Sequence, residues 1–343
     1  MAEQQPLYNI GPFRSSNKNT DTQLNVYVSD KHFKIDLFTA NFESSPVLLA
    51  EYLQHVQRLD PEYIPDNTEE DEEFEDPLYQ MHDWVLQPFV PIFRKLAPLD
   101  QSQKYTLADC LFAEEFHYTV QAVEESLVPV YLGNSNAKEH HLIGARLPSS
   151  IYMGYSMFPI YHPSTIQIPI DSRSLPAVPH KVFIHGRPNP SFFKIVYRGD
   201  VGITLKELLT YSKIHTAKFD ATVRTSRFEG LVEDDDGRVM GLLLSYIDCQ
   251  GTTLQCIDGR DPRFSELRKK WLDQVTVTLK HLHSQGIIWG DAKAANILID
   301  VNEDAYLIDF GGGYTQGWVG RENANSIDGD LQGLERIKWY LFK

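Results

Sequence analysis

Cysteine is scarce in this chain. Three residues, Cys110, Cys249 and Cys256, occur among 343, and no two are spaced C-x-x-C. That excludes a disulfide framework and a structural zinc site, and it implies a reducing compartment. Positive charge is also in short supply: 32 lysines and arginines face 47 aspartates and glutamates, a formal net charge of −15. Such a surplus repels nucleic acid and anionic membranes, so neither is expected as a partner. No apolar run approaches the roughly 18 residues that would span a bilayer, and the opening MAEQQPLYNIGPFRSSNKN lacks the apolar centre of a secretory signal. The expectation is a soluble, cytoplasmic protein, with the nucleus left open. Hydrophobic residues at 42% and aromatics at 12% are enough for a sizeable core, and the length allows a two-lobed domain with an accessory region.

Residues 1–22 are polar and read as a flexible tail. Leu24–Val28 and Phe33–Leu37 alternate on either side of Ser29–His32 and predict a β-hairpin. Ser45 and Pro46 open a helix with Leu49, Tyr52, Leu53 and Val56 on one face. The acidic run Asp66–Asp76 reads as a solvated loop rather than a cation site. Tyr79–Leu96 reads as a helix by period, with Pro88 and Pro91 set to kink it. Val128–Leu132 reads as a strand. Residues 23–150 therefore form an α+β accessory region, and prolines at 148, 159, 163, 169, 176 and 179 mark a connector over 151–178 carrying one strand, Thr165–Ile170.

Beyond residue 179 the pattern runs strand Val182–His185, strand Ser191–Val196, helix Leu205–Ile214, then strands Thr222–Val232 and Val239–Tyr246. A long helix, Phe264–His283, follows, and its apolar stripe is core. After it comes LHSQGIIWGDAKAANILIDVNEDAYLIDFGGG, residues 282–313. Taken singly, Asp291 and Asn296 are ordinary turn residues, Asp309 a strand-end cap and Lys194 an exposed strand lysine. Taken together they supply what phosphoryl transfer needs: a carboxylate for the attacking hydroxyl, cations for the phosphates and oxygen ligands for Mg²⁺.

Asp291-x-Lys293-x-x-Asn296, a strand pair and Asp309-Phe310-Gly311, in that order, resemble the catalytic and magnesium loops of the protein-kinase superfamily. The resemblance covers about residues 165–343. It implies an α+β, two-lobed protein-kinase-like domain over 179–343, with an N-lobe near 179–248 and a C-lobe near 249–343. By the same resemblance, Asp291 orients the acceptor hydroxyl and Lys293 steadies the γ-phosphoryl. Asn296 and Asp309 hold Mg²⁺, Lys194 contacts the α- and β-phosphates, and Glu207 pairs with Lys194. Leu244 is the gatekeeper, Ser245, Tyr246 and Ile247 form the adenine hinge, and Asp248 reaches the ribose. Gly311 turns the chain after the metal ligand, and Asp330 braces the catalytic loop or caps a helix, two roles that are compatible. ATP and Mg²⁺ are the implied cofactors.

Four departures accompany the resemblance. Trp289-Gly290 stands where the family has His-Arg, which removes the partner of a phosphorylated activation loop. No G-x-G-x-x-G precedes Lys194; the nearest turn, Gly186 to Pro190, carries prolines. Only 18 residues separate Gly311 from Asp330, too few for the usual activation segment and its peptide platform. The chain stops at Lys343, so a reduced C-lobe is expected. WGDAKAANILID, DFGGGYTQGWV and GDLQGLERIKWYL, with the (F/Y)-x-x-x-D-W-x-x-x-P-x-x-P-x-(F/Y) pattern of Tyr79–Phe93, look like a group of largely uncharacterised fungal kinase-like proteins. The implied function is a kinase moving the γ-phosphoryl of ATP to a hydroxyl. Lys293 points to serine or threonine in a protein; Gly290-Asp291 and the missing platform point to a small molecule. The alternative is a pseudokinase or binding module with a scaffolding role. Activity is expected not to depend on phosphorylation between Gly312 and Asp328, where Tyr314, Thr315 and Ser326 are the only hydroxyl residues.

Overall fold

In a computed structural model, which describes residues 8–16, 18–60, 76–97, 104–135, 143–148, 155–169, 178–258 and 260–343, the chain divides into two units. One comprises Met1–His140 and Ile168–Pro179, the other His141–Gln167 and His180–Lys343. Both mix helix and sheet, an α+β composition. Among the described residues no helix is long and apolar enough to cross a membrane.

Strict alternation builds the first sheet. Strands β1 (Asn9–Ile10), β2 (Arg14–Ser15), β3 (Thr22–Val28), β4 (Lys31–Leu37), β5 (Glu114–Val123) and β6 (Ser126–Ser135) lie in the order β1-β3-β4-β5-β6, with β2 also on β3. The predicted hairpin is β3–β4. The predicted tail differs: β1 and β2 pair with β3, and Gly11 N–H donates to the Asn25 carbonyl at 2.7 Å. β5 runs parallel to β4, which requires a crossover. Helices α1 (Pro46–Arg58), α2 (Pro77–Leu86), α3 (Val90–Leu96) and α4 (Leu107–Leu111) lie along it. Ser45 caps α1 by accepting from Leu48 N–H at 3.2 Å, with Pro46 in the first turn. A 3₁₀ turn at Gln87–Phe89 separates α2 from α3, where Pro88 and Pro91 deny the helix its donors. Phe33 and Phe93 meet edge to face at 4.8 Å within a core shared with Leu24, Val26, Ile35 and Tyr52. Most of the acidic run, residues 66–75, lies outside the described residues, as does much of the expected connector.

The second unit holds the sheet β7 (Ile160–Tyr161), β8 (Ile166–Gln167), β9 (Lys181–Ile184), β10 (Ser191–Ile195), β11 (Phe228–Glu233) and β12 (Val239–Ser245). Its spatial order is β7-β11-β12-β10-β9-β8. The stretch read as a connector with one strand thus supplies both edges of this sheet. Two-residue strands are held by partners rather than by periodicity, so the sequence pattern left β7 unmarked. β11 begins later than predicted: Asp220 accepts from Thr222 N and Oγ1 at 2.8 and 2.5 Å in a side-chain turn, and the backbone of residues 224–226 pairs with Leu307 rather than with β12. Helix α5 (Val201–Ala217) follows β10, and α6 (Ser265–Ser284) buries Trp271, Val275, Leu279 and Leu282. A two-stranded ribbon, β13 (Ile297–Ile299) with β14 (Ala305–Leu307), and helix α7 (Ile327–Phe342) complete the unit.

Candidate active site

β10 is held on both sides, by β9 and β12, with Lys194 in register with Leu242. After five intervening residues α5 begins. Its inner face, Thr204, Glu207, Leu208, Tyr211 and Ile214, recurs at helical spacing and is buried. This brings Glu207 to the lysine. Lys194 Nζ donates to Glu207 Oε1 and Oε2 at 2.9 and 2.8 Å and to Asp309 Oδ1 at 2.8 Å. Burial works against the charge on Lys194, but Glu207 and Asp309 outweigh it and raise its pKa above the ordinary lysine value. Burial also raises the pKa of Glu207, against the pull of Lys194. Asp309 is a non-glycine residue at φ +61°, a conformation retained when its surroundings fix it. Phe310, next to it, is fully buried and meets Tyr211 edge on at 5.4 Å.

The loop before β13 packs against that group. Asn296 Nδ2 donates to the Asp291 carbonyl at 3.0 Å and to Asp291 Oδ2 at 3.2 Å, while Ile308 N–H donates to the Asn296 carbonyl at 3.0 Å. Lys293 Nζ donates to Asp291 Oδ2 at 2.5 Å and to Thr315 Oγ1 at 2.9 Å, and Thr315 Oγ1 donates in turn to Asp291 Oδ1 at 2.9 Å. Thr315 entered the sequence reading only as a hydroxyl open to phosphorylation; nothing in its spacing marked it as a partner of Asp291. Ser326 is half-buried and caps α7 by accepting from Gly329 N–H at 3.0 Å. Tyr314, 46% exposed, is the freer hydroxyl of the three.

Asp330 lies in the first turn of α7 and is 1% exposed. Its carboxylate accepts from Trp289 N–H, Gly290 N–H and His283 Nε2, each at 2.8 Å. The N-cap is Ser326, so of the two readings of Asp330 the geometry shows the contact with the loop. Trp289, also buried, donates its indole N–H to the Ile308 carbonyl at 2.8 Å. Gly333, one turn along α7, faces Ala292, and a Cβ there would overlap the Ala292 carbonyl. We expect Gly333→Ala to lower stability in urea unfolding by about 1–3 kcal/mol, the usual cost of overpacking; an unchanged midpoint would mean the helix shifts freely.

Gly311 is not in the left-handed region. Gly312 and Gly313 are, at φ +71° and +151°, so they make the turn after Asp309, while the missing Cβ of Gly311 leaves room for Ile203. Gly186 to Pro190 joins β9 to β10.

At the other end of β10, Leu244 is 5% exposed and pairs with Phe192. Ser245 Oγ accepts from Arg227 N–H at 2.8 Å, the Tyr246 ring lies 5.0 Å below Lys181 Nζ, Ile247 is half-buried, and Asp248 is exposed. Phe192 shares the face of Lys194, two residues away on one strand, and stacks on His180 at 5.3 Å. The alternation of Phe192 and Lys194 in the sequence already places the two on one face.

Residues 224–328 match the family model described as "Protein kinase domain". The span includes Asp291, Lys293, Asn296 and Asp309 but neither Lys194 nor Asp330. Ribosomal protein S6 kinase beta of Caenorhabditis elegans is 40% identical over 76 residues, 22% of this chain and 14% of that protein. Serine/threonine-protein kinase SCH9 of Saccharomyces cerevisiae is 42% identical over 53 residues, 15% of this chain and 6% of that protein. Serine/threonine-protein kinase kin-29 of Caenorhabditis elegans is 44% identical over 43 residues, 12% and 5% of the two. The matches cover at most 14% of these relatives' length. They support a protein-kinase-like chain.

Proposed function

We propose that the chain is an ATP- and Mg²⁺-dependent phosphotransferase of protein-kinase-like fold. The observation that carries this reading is Lys194 held between Glu207 and Asp309 at 2.8–2.9 Å, three residues from separate stretches meeting at one ammonium. A lysine so held is aimed at phosphate oxygens and stays charged.

The donor chemistry suits Mg²⁺. Lys194 takes Asp309 Oδ1 and leaves Oδ2, and Asn296 uses its Nδ2, leaving the amide oxygen. Among the described residues no group of three or more His, Cys, Asp or Glu side chains is placed to hold a metal; a Mg²⁺ held by one or two protein oxygens together with substrate phosphates needs none. Bound there, the ion would neutralise charge on the phosphates. Asp291 accepts the proton of the acceptor hydroxyl as its oxygen bonds to the γ-phosphorus; the bond from that phosphorus to the β,γ-bridging oxygen breaks, and ADP leaves. Lys293 stabilises the charge on the transferring group, and Thr315 fixes the Asp291 rotamer. Phe192 and the backbone of Ser245, Tyr246 and Ile247 would hold the adenine, and Asp248 would be available to the ribose. The acceptor is a hydroxyl of a protein or of a small molecule, and the serine/threonine kinases among the relatives favour a protein.

The test is Mg²⁺-dependent release of ADP from ATP, followed by transfer of labelled phosphate to cell extract separated into protein and metabolite fractions. Nucleotide binding without turnover in any fraction would favour the scaffold reading instead. We expect Tyr314→Phe and phosphatase treatment to leave the rate within about two-fold, as for a surface position away from the chemistry. A large loss in both arms would show that a phosphate is being read. Thr315→Val is unsuited to this comparison, because Thr315 is bonded to Asp291.

A further inference from the structure

Lys206 has no part in the chemistry above, yet it stands beside Glu207 on α5 and meets a different set of partners. Its Nζ donates to Asn325 Oδ1, and the same oxygen accepts from Gly313 N–H at 3.1 Å. The corridor it occupies is lined by glycine. A Cβ at Gly312 would overlap both Lys206 Nζ and Asn325 Oδ1, and one at Gly290 would lie 3.0 Å from Gly312 and 3.2 Å from Asn325 Oδ1. Gly290 precedes Asp291, Gly312 follows the Asp309-Phe310-Gly311 triplet, and Asn325 precedes the cap of α7. Asn325 sits at φ +59°, a conformation asparagine accepts more readily than most residues. Burial lowers the pKa of Lys206, and the nearby carboxylate of Asp330 pulls the other way.

We propose that Lys206 is a positioning residue: it ties the helix bearing Glu207 to the segment 311–326 and to the turn before Asp291, holding the site assembled without any phosphate on that segment. The inference rests on the phosphotransferase reading for its kinetic arm only. It accounts for two features together. Gly290 leaves out a side chain at the loop, and Lys206 fills the space from the helix side; the glycines after Asp309 keep the path open.

The test uses the full chain in four forms: wild type, Lys206→Met, Asn325→Gly and the double variant. Methionine keeps the length and removes the charge. Glycine keeps the φ of residue 325 and removes the acceptor. Hydrogen exchange is followed in peptides covering residues 312–326, and kcat and KM for ATP are measured in parallel. We expect each single variant to speed exchange there by about ten-fold, and the double variant to do no more, as for two residues of one interaction. kcat should fall about ten-fold in each, with KM for ATP within about two-fold, because Lys206 does not touch the nucleotide-facing lysine. Unchanged exchange in Lys206→Met, or additive effects in the double variant, would overturn the proposal. Wild type without turnover would sink the phosphotransferase reading, while the exchange arm would still decide whether Lys206 holds the segment.

Discussion

Asp309→Asn is expected to abolish Mg²⁺-dependent turnover while leaving the fold intact. The substitution changes little besides charge. Asparagine tolerates φ near +61° as aspartate does, and its amide oxygen can still accept from Lys194. The side chain is 41% exposed, so no core contact is lost. What disappears is the anionic oxygen offered to the metal and half of the negative charge facing Lys194. Removing one such electrostatic contribution costs several kcal/mol at the transition state, about 10²–10⁴ in rate. Steady-state turnover and urea unfolding on the same preparation would check both halves. Turnover at the wild-type rate would remove the metal assignment, and a collapse of stability would show that Asp309 serves the fold instead.

Asp330→Ala should act on stability, with or without catalysis. The carboxylate is 1% exposed and accepts three hydrogen bonds, two from buried backbone N–H groups of Trp289 and Gly290. Truncation leaves those donors without a partner at about 1–3 kcal/mol each. Their sum, about 2–6 kcal/mol, is a large share of the roughly 5–15 kcal/mol by which a domain is stable. Unfolding followed by tryptophan fluorescence should show a marked drop in midpoint. Asp330→Asn, which keeps one acceptor oxygen, should fall between. A shift under about 1 kcal/mol for the alanine variant would mean that water replaces the carboxylate without penalty and that the loop is held by other contacts.

The fold was legible wherever local chemistry and periodicity agreed. Ser45 and Pro46 announced α1, the alternation of residues 24–37 announced its hairpin, and the prolines at 88 and 91 announced a kink, which the structure makes a full break between α2 and α3. The composite around Asp291 and Asp309 was legible because several residue types with fixed spacing are needed at once. What stayed hidden depends on contacts distant in sequence. Thr315 meets Asp291 across 24 residues and Lys206 meets Asn325 across 119, and neither pair leaves a spacing to recognise. β7 is two residues long, too short for any period, whereas β8, equally short, falls inside the strand read at Thr165–Ile170. The glycines after Asp309 were seen, but only backbone angles separate Gly311, which makes room, from Gly312 and Gly313, which turn.

The path of the chain between its units bears on how the protein can be cut. It enters the second unit at residue 141, returns to the first at 168 and enters the second again at 180. A fragment trimmed to begin at residue 179 therefore loses β7 and β8 and strips both margins of the second sheet, baring β11 and β9. Bare strand margins recruit other chains. Such a fragment would carry every side chain assigned above to the chemistry and still tend to aggregate, so silence from it in an assay would reflect the missing margins rather than an inert site.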